Sequence, residues 1–301
     1  MASPIKNVVL IGAGGNLGPS ILKEFLASSL NVTVLSRPES KSAFSSEVKV
    51  VKSDYSSDSL KSAFAGQDAV VSIVGTPGFA AQQVIIDAAI AAGVKRFIPS
   101  EFGSNTSSAD VVSLVPFLGG KAKVVEYLKT KESSISWSGL ITGPFFDWGL
   151  KVGFLGFNLA EKKATLWDGG EAEFAVSNLS TIGKALVALL SSGTAFDKSK
   201  NEYVYIASHV VNQKQVLASL EKATGSKWTV AGDVDVDARV KETNEKLSKG
   251  DFSSATDLIL AATFGKKKQL GTFPKYWNDE LGLPKEDLDE RVKETVDGKR
   301  P

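Results

Sequence analysis

The sequence predicts an α/β protein built on a doubly wound parallel sheet, and three observations carry that expectation. Short, nearly continuous apolar runs alternate with segments whose apolar residues fall at helical spacing. The runs are rich in β-branched residues and read as strands buried on both faces. Strand and helix alternate regularly from residue 5 to residue 99, an order that right-handed crossovers turn into one parallel sheet with helices on both sides.

The first run, Asn7–Ile11, leads directly into Gly12-Ala13-Gly14-Gly15-Asn16-Leu17-Gly18, and helical spacing follows over residues 17–30. Further strands are predicted at 31–35, 48–51, 69–74 and 96–99, with helices at 59–64 and 79–92 between them. A helix over about 121–131 precedes a sixth strand, Ser136–Ile141, which ends in Thr142-Gly143-Pro144. Beyond residue 150 the pattern changes. Residues 151–173 are mixed, and Trp167-Asp168-Gly169-Gly170 reads as a turn. Phe174–Val176 and 203–207 read as strands and 182–190 as a helix. From Gln213 onward the chain is mostly helical, with no internal repeat and no low-complexity segment.

Composition excludes several classes of function. The 301 residues are 43% hydrophobic and 23% charged, a globular mixture, and 35 basic residues balance 34 acidic ones. That balance gives no reason to expect nucleic acid or an anionic membrane as partner. With no cysteine in the chain, disulfides, thiolate metal sites and a cysteine nucleophile are ruled out. No run is long enough for a bilayer span, and Val8-Val9-Leu10-Ile11 leads into glycines rather than into a cleavage site. The expectation is a cytoplasmic protein acting on a small molecule. The oligomeric state is left open, a homodimer included.

The glycine segment carries the chemistry. Gly12, Gly15 and Gly18 give the spacing G-x-x-G-x-x-G between a strand and a helix. A phosphate loop needs glycine there because the turn is tight, the backbone approaches a pyrophosphate closely, and the helix packs near the strand. The helix N-terminus then presents N–H groups and a positive dipole end to the phosphates. Gly12, Gly14, Gly15, Asn16, Leu17 and Gly18 are therefore expected to bind a dinucleotide. This defines a Rossmann domain over 1–150, with later contributions from about 174–210. A mainly substrate-binding region over 151–301 completes the cleft.

The tip of the second strand indicates which dinucleotide. An acid there would bind a ribose 2′-hydroxyl. The sequence instead reads Val34-Leu35-Ser36-Arg37-Pro38, and a guanidinium suits a 2′-phosphate through paired hydrogen bonds. Arg37 predicts NADP(H) over NAD(H), with Lys41 assisting and Glu39 as a counter-signal. Asp54 either approaches the adenine or caps the turn that follows it.

Two lysines compete for the proton chemistry. Tyr127 and Lys131 have the Tyr-x-x-x-Lys spacing of short-chain dehydrogenases but lie at the C-terminal end of their helix, where lysines simply complement the dipole. Lys121 follows Gly119-Gly120 in the first helical turn. The dipole field there lowers an amine pKa, which suits a general acid or base, although an exposed lysine fits the residues equally well.

Three segments together resemble the isoflavone reductase-like branch of atypical short-chain dehydrogenases, within the NmrA-like superfamily. They are Gly12–Gly18, then Val94-Lys95-Arg96-Phe97-Ile98-Pro99-Ser100-Glu101-Phe102-Gly103, then Lys121-Ala122-Lys123-Val124. The resemblance implies an NADPH-dependent reductase with Lys121 as its catalytic lysine, and Pro144 and Phe145 beside the nicotinamide. It places Phe146 near the substrate. Trp148 and Trp167 either line the cleft or are plain core. Plant-type members carry an arginine where this chain has Val125, so the resemblance points to fungal-type members, many of which serve secondary metabolism. An NmrA-like regulator that binds the dinucleotide without turnover, or a non-redox enzyme keeping it as scaffold, are the alternatives.

The remaining features have plainer readings. His209 is the only histidine, which argues against a multi-histidine metal site or a Ser-His-Asp triad. Asp233-Val234-Asp235-Val236-Asp237 lacks the glycine and closing glutamate of a calcium loop and reads as a polar helix entry. Lys266-Lys267-Lys268 reads as a solvated loop.

Overall fold

The computed structural model describes residues 5–300. The first half supplies six strands: β1 (Asn7–Ile11), β2 (Asn31–Ser36), β3 (Lys49–Lys52), β4 (Ala69–Ser72), β5 (Arg96–Ile98) and β6 (Ser136–Ile141). Helices α1 (Gly18–Leu26), α2 (Ser57–Phe64), α3 (Gln82–Ala91), α4 (Ala109–Leu114) and α5 (Gly119–Lys129) connect them. The second half continues with α6 (Phe146–Lys151), β7 (Phe157–Asn158), β8 (Lys163–Trp167), β9 (Phe174–Val176), α7 (Leu179–Ser191), α8 (Gly193–Lys198) and β10 (Glu202–Tyr205). It closes with β11 (His209–Val211), α9 (Gln213–Thr224), β12 (Thr229–Val234), α10 (Val236–Ser248), α11 (Thr256–Phe264) and α12 (Leu288–Val296).

The central sheet has seven parallel strands in the order β10-β6-β5-β4-β1-β2-β3. The side chains of β1 explain why both faces must be covered. Val8 and Leu10 point into one apolar layer with Ile21 and Phe25 of α1 and Ile182 and Leu186 of α7. Val9 and Ile11 point into the other, with Leu60 of α2, Ile85 of α3 and Leu128 of α5. Strand order reverses around β1, between β2 and β4, and the crevice at the carboxyl ends of such strands is where this architecture binds ligands.

One buried cation holds the far side of the sheet. Arg96 on β5 is fully buried. Its guanidinium donates to the hydroxyls of Ser136 and Ser138 on β6 at 2.8 and 2.6 Å, and to Ser199 Oγ and Phe196 O beside α8 at 3.0 and 2.7 Å. Its carbon also lies 4.0 Å over the Phe196 ring. Burial lowers its pKa to about 10, so it remains charged at neutral pH.

The second half adds two small sheets, β12-β8-β7 and β11-β9, around a separate core that contains Leu155, Phe157, Leu220 and Phe264. It also returns to the first half, because β10 joins the central sheet and α7 packs on α1.

The structure corrects several sequence expectations. The stretch 151–173 contains β7 and β8, and the region expected to be mostly helical contains β12. The strand expected to reach residue 74 stops at Ser72, and the helix expected from 79 begins at Gln82 after a 3-10 turn at Thr76–Ala81. The helix expected to run to residue 30 stops at Leu26, where the Ser28 hydroxyl donates back to the Phe25 carbonyl at 2.7 Å. Asp233 lies in β12, while Asp235 does open a helix, accepting from Ala238 N at 2.8 Å.

Candidate active site

The glycine loop lies at the carboxyl end of β1. Gly12 has φ +89°, and a Cβ there would come within 2.7 Å of the Ile73 carbonyl oxygen. A Cβ on Gly18 would come within 2.2 Å of Ala13 O, so the helix can sit this close to the strand only with glycine. Gly15 N–H donates to Gly12 O at 3.0 Å and Gly18 N–H to Gly15 O at 3.2 Å. Helix α1 then has Pro19 as its second residue and no acid in its first turn, leaving its positive dipole end unopposed. Asn16 is exposed, whereas the Leu17 side chain is buried in the core, so Leu17 has only its backbone to offer a ligand.

Two clefts flank this loop and share Arg37. The smaller, about 260 Å³, is lined by Gly12 to Gly15 together with Ser36, Arg37, Ser40, Ser42 and Tyr55. The larger, about 490 Å³, runs past Gly12, Arg37 and Asp54 to Ile73, Val74, Gly75, Gly78 and Ala81. Arg37 is exposed, with Nε 3.4 Å from Glu39 Oε1. Lys41 is exposed and lines neither cleft. Asp54 caps the turn that follows it. It borders the larger cleft, and its Oδ1 accepts from Ser56 N at 2.9 Å and Ser56 Oγ at 2.7 Å. Those bonds hold its carboxyl below the usual carboxylate range.

Lys121 lies in the first turn of α5, partly buried, and Nζ donates to the backbone carbonyl of Glu101 at 2.5 Å. It also lies 5.6 Å from the centre of the Phe79 ring. Phe79 stands in sequence between Gly78 and Ala81, both of which line the larger cleft, while Lys121 itself is not part of that lining. Burial pushes the Lys121 pKa down, and the neighbouring Glu101 charge opposes this. Glu101 itself is fully buried, and burial pushes its pKa up against the pull of Lys121 and Thr106. Thr106 Oγ1 donates to Glu101 Oε2, while Oε1 has no partner.

The Gly103 carbonyl connects this corner to the end of β6. It accepts from the N–H groups of Thr142 and Gly143 at 3.3 and 3.0 Å, and a Cβ on Gly103 would lie 3.9 Å from Lys121 Nζ. Pro144 and Phe145 follow immediately, fixed by Ser177, whose N–H donates to Pro144 O at 3.1 Å. The half-buried Phe145 and Trp148 rings meet edge to face at 6.3 Å. Phe146, expected near the substrate, is a core residue, fully buried against His209, which is a correction; Trp167, left open between cleft and core, packs in the core against Phe264, and neither lines the two clefts beside the glycine loop.

Tyr127 and Lys131 do not form a catalytic pair. Tyr127 donates to Asp87 at 2.6 Å on an exposed helix face, with Lys131 stacked 5.0 Å over its ring. Sequence reasoning missed Tyr55, Phe79 and the Glu101 side chain. The Pro-Ser-Glu-Phe-Gly segment was the one available signal, and it pointed to the segment without indicating that the carboxyl is buried.

The fold and this site define a Rossmann-type protein with a glycine loop at the carboxyl end of β1 and a partly buried lysine at the start of α5. The NmrA-like family model matches residues 4–232, and the chain belongs to that family. It is 34% identical to the oxidoreductase aprR of Aspergillus flavus over 97% of this chain and 99% of that one. It is 28% identical to an isoflavone reductase homologue of Zea mays over 75% and 76% of the two chains. It shares its fold with the leucoanthocyanidin reductase–NADPH complex of Vitis vinifera, at TM-score 0.78 and 18% identity, covering 96% of this chain and 99% of that one.

Proposed function

We propose that the chain is an NADPH-dependent reductase of a small conjugated or aromatic molecule, with Lys121 as its general acid. The observation that carries this reading is the Lys121 ammonium, partly buried, held by the Glu101 carbonyl and 5.6 Å from the Phe79 ring, whose neighbour Gly78 lines the cleft that begins at the phosphate loop.

The residues fit the cofactor. The close approach of Gly12 and Gly18 to neighbouring backbone is the cradle a pyrophosphate needs, and Arg37 joins the two clefts where a 2′-phosphate would lie. When bound, NADPH supplies the hydride, and the protein supplies orientation and charge. Lys121 holds a proton with a lowered pKa and gives it to the oxygen or carbon that becomes basic as the substrate is reduced. The half-buried Phe145 and Trp148 offer aromatic surface after β6. The name of the Aspergillus flavus relative and the NADPH held by the grapevine structure support the same reading.

The test is an NADPH-oxidation screen over ketones, enones and quinones. Loss of the nicotinamide absorbance together with formation of a reduced product is the expected result. Equal affinity for NADP⁺ and NADPH with no consumption on any substrate would point to a regulator instead. Product without an absorbance change would point to a non-redox enzyme.

A further inference from the structure

Strand β3 ends on a cation that the proposed reaction leaves unused. Lys52 is the last residue of β3 and stands in register with Ser36, the last residue of β2. Both strands stop at the same edge of the sheet as the phosphate loop. From there the Lys52 ammonium reaches three acceptors in the loop that follows β2. They are the Ser36 hydroxyl at 3.4 Å, the Arg37 carbonyl at 3.1 Å and the Ser40 carbonyl at 3.4 Å. Ser36, Arg37 and Ser40 are the residues that line the smaller cleft on this side. Ser53 N–H reinforces the arrangement by donating to Ser36 O at 3.0 Å, and Ser40 N–H donates to Arg37 O at 3.1 Å.

Charge explains why a second cation matters here. Arg37 shares its position with Glu39, 3.4 Å away. Taken together, that pair carries no net charge, and a dianionic phosphate arriving at Arg37 also meets the Glu39 carboxylate. Lys52 adds a positive charge beside that neutral pair. It does so from a strand, whose position is fixed, while Arg37 and Glu39 extend from an exposed loop.

We propose that Lys52 is a specificity determinant for the phosphorylated dinucleotide. It supplies the second positive charge for the adenosine 2′-phosphate and holds the 36–40 loop in the shape that presents Arg37. This rests on the reading that the chain takes NADP(H).

Titration calorimetry on the full chain tests it, with NADP⁺, NAD⁺ and adenosine 2′,5′-bisphosphate as probes. Lys52→Met is expected to weaken NADP⁺ and the bisphosphate about tenfold and to leave NAD⁺ within about twofold, with a shallower salt dependence for NADP⁺. Lys52→Arg is expected to keep most of the preference, and Glu39→Gln to strengthen NADP⁺ binding. Thermal unfolding of each variant checks that it is folded. Equal weakening of NADP⁺ and NAD⁺ by Lys52→Met would make Lys52 a loop support only and overturn the proposal, as would no change in either. Wild-type protein that binds NAD⁺ as tightly as NADP⁺ would remove the NADP(H) reading itself, a failure distinct from that of Lys52.

Discussion

Lys121 is partly buried and Glu101 fully buried, and the charge of each pushes the other's titration. Burial lowers the lysine and raises the glutamate, while their mutual attraction opposes both shifts. Glu101 is a positioning residue, because its carbonyl receives the Lys121 ammonium. Glu101→Gln keeps that carbonyl and removes the charge. The remaining influence on Lys121 is then burial, so its pKa falls and the alkaline limb of kcat moves to lower pH. A pH–rate profile checks this, and an unmoved limb would show that the Glu101 charge does not reach Lys121. Much of this residue-scale picture was legible in the sequence. Gly12 and Arg37 were singled out by the glycine spacing and the missing acid, and Lys121 by the resemblance, since its helix position alone left it even with an exposed lysine. Glu101 left no such mark. What buries it comes from distant strands, Gly139 on β6 and Tyr203 on β10, which lie close to the Glu101 side chain and to each other. Lys52 escaped notice for the same reason, since a lysine at a strand end acquires its role only through the register with β2.

Among the elements, β1, β2, β4 and β6 were legible because each is a largely buried run, the form in which a strand is easiest to recognise, whereas β3 was legible from its paired valines although most of it is exposed. Strands β7, β8 and β12 were not. β7 is two residues long, and β12 carries Gly232 within an irregular register against β8 and exposes most of its side chains. The polar content of β5 is the more telling case. Arg96 in a buried strand contradicts simple patterning, and its partners on β6 and beside α8 show why it is tolerated. Replacing it with methionine keeps the bulk but leaves Ser138, Ser199 and the Phe196 carbonyl without their donor. Arg96→Met is expected to lower unfolding stability by about 3 kcal/mol, the scale of breaking a buried charged network. Urea unfolding measures it, and a change under about 0.5 kcal/mol would contradict the stapling role.

Over the whole molecule, the second half is tied back onto the first. Its helix α7 packs on α1, the helix that opens from the phosphate loop, and the chain's end is fastened back onto α7. Glu286 accepts from Thr181 Oγ1 at 2.9 Å, Arg300 donates to Ser180 Oγ at 3.0 Å, and the buried Asp147 carboxylate accepts from Leu179 N at 3.1 Å. Sequence patterning did not reveal these long-range ties, since each partner is ordinary in its own segment. His209 lies in this half, buried against Phe146, with Nε2 unpartnered. Burial holds its pKa below 6.5, against the pull of Glu286 and Asp287 and with the help of Arg291. The unfolded chain therefore takes up this proton first as pH falls, so native stability declines from about pH 6.5 downward on account of this group. His209→Phe is expected to lose less melting temperature than the parent between pH 7.5 and pH 5.5. Identical pH dependence in the two proteins would contradict the assignment. Among the described residues no helix is long and apolar enough to cross a membrane.

If Lys121 carries the proton of a reduction, its loss must slow turnover without weakening the cofactor. The most direct measurement is single-turnover NADPH oxidation by Lys121→Met alongside calorimetric NADPH binding, with any substrate the screen identifies. Turnover at least about 100-fold lower, with NADPH affinity within about twofold of the parent, is the expected result, the loss of a missing general acid. Full turnover in Lys121→Met with unchanged NADPH affinity would contradict it.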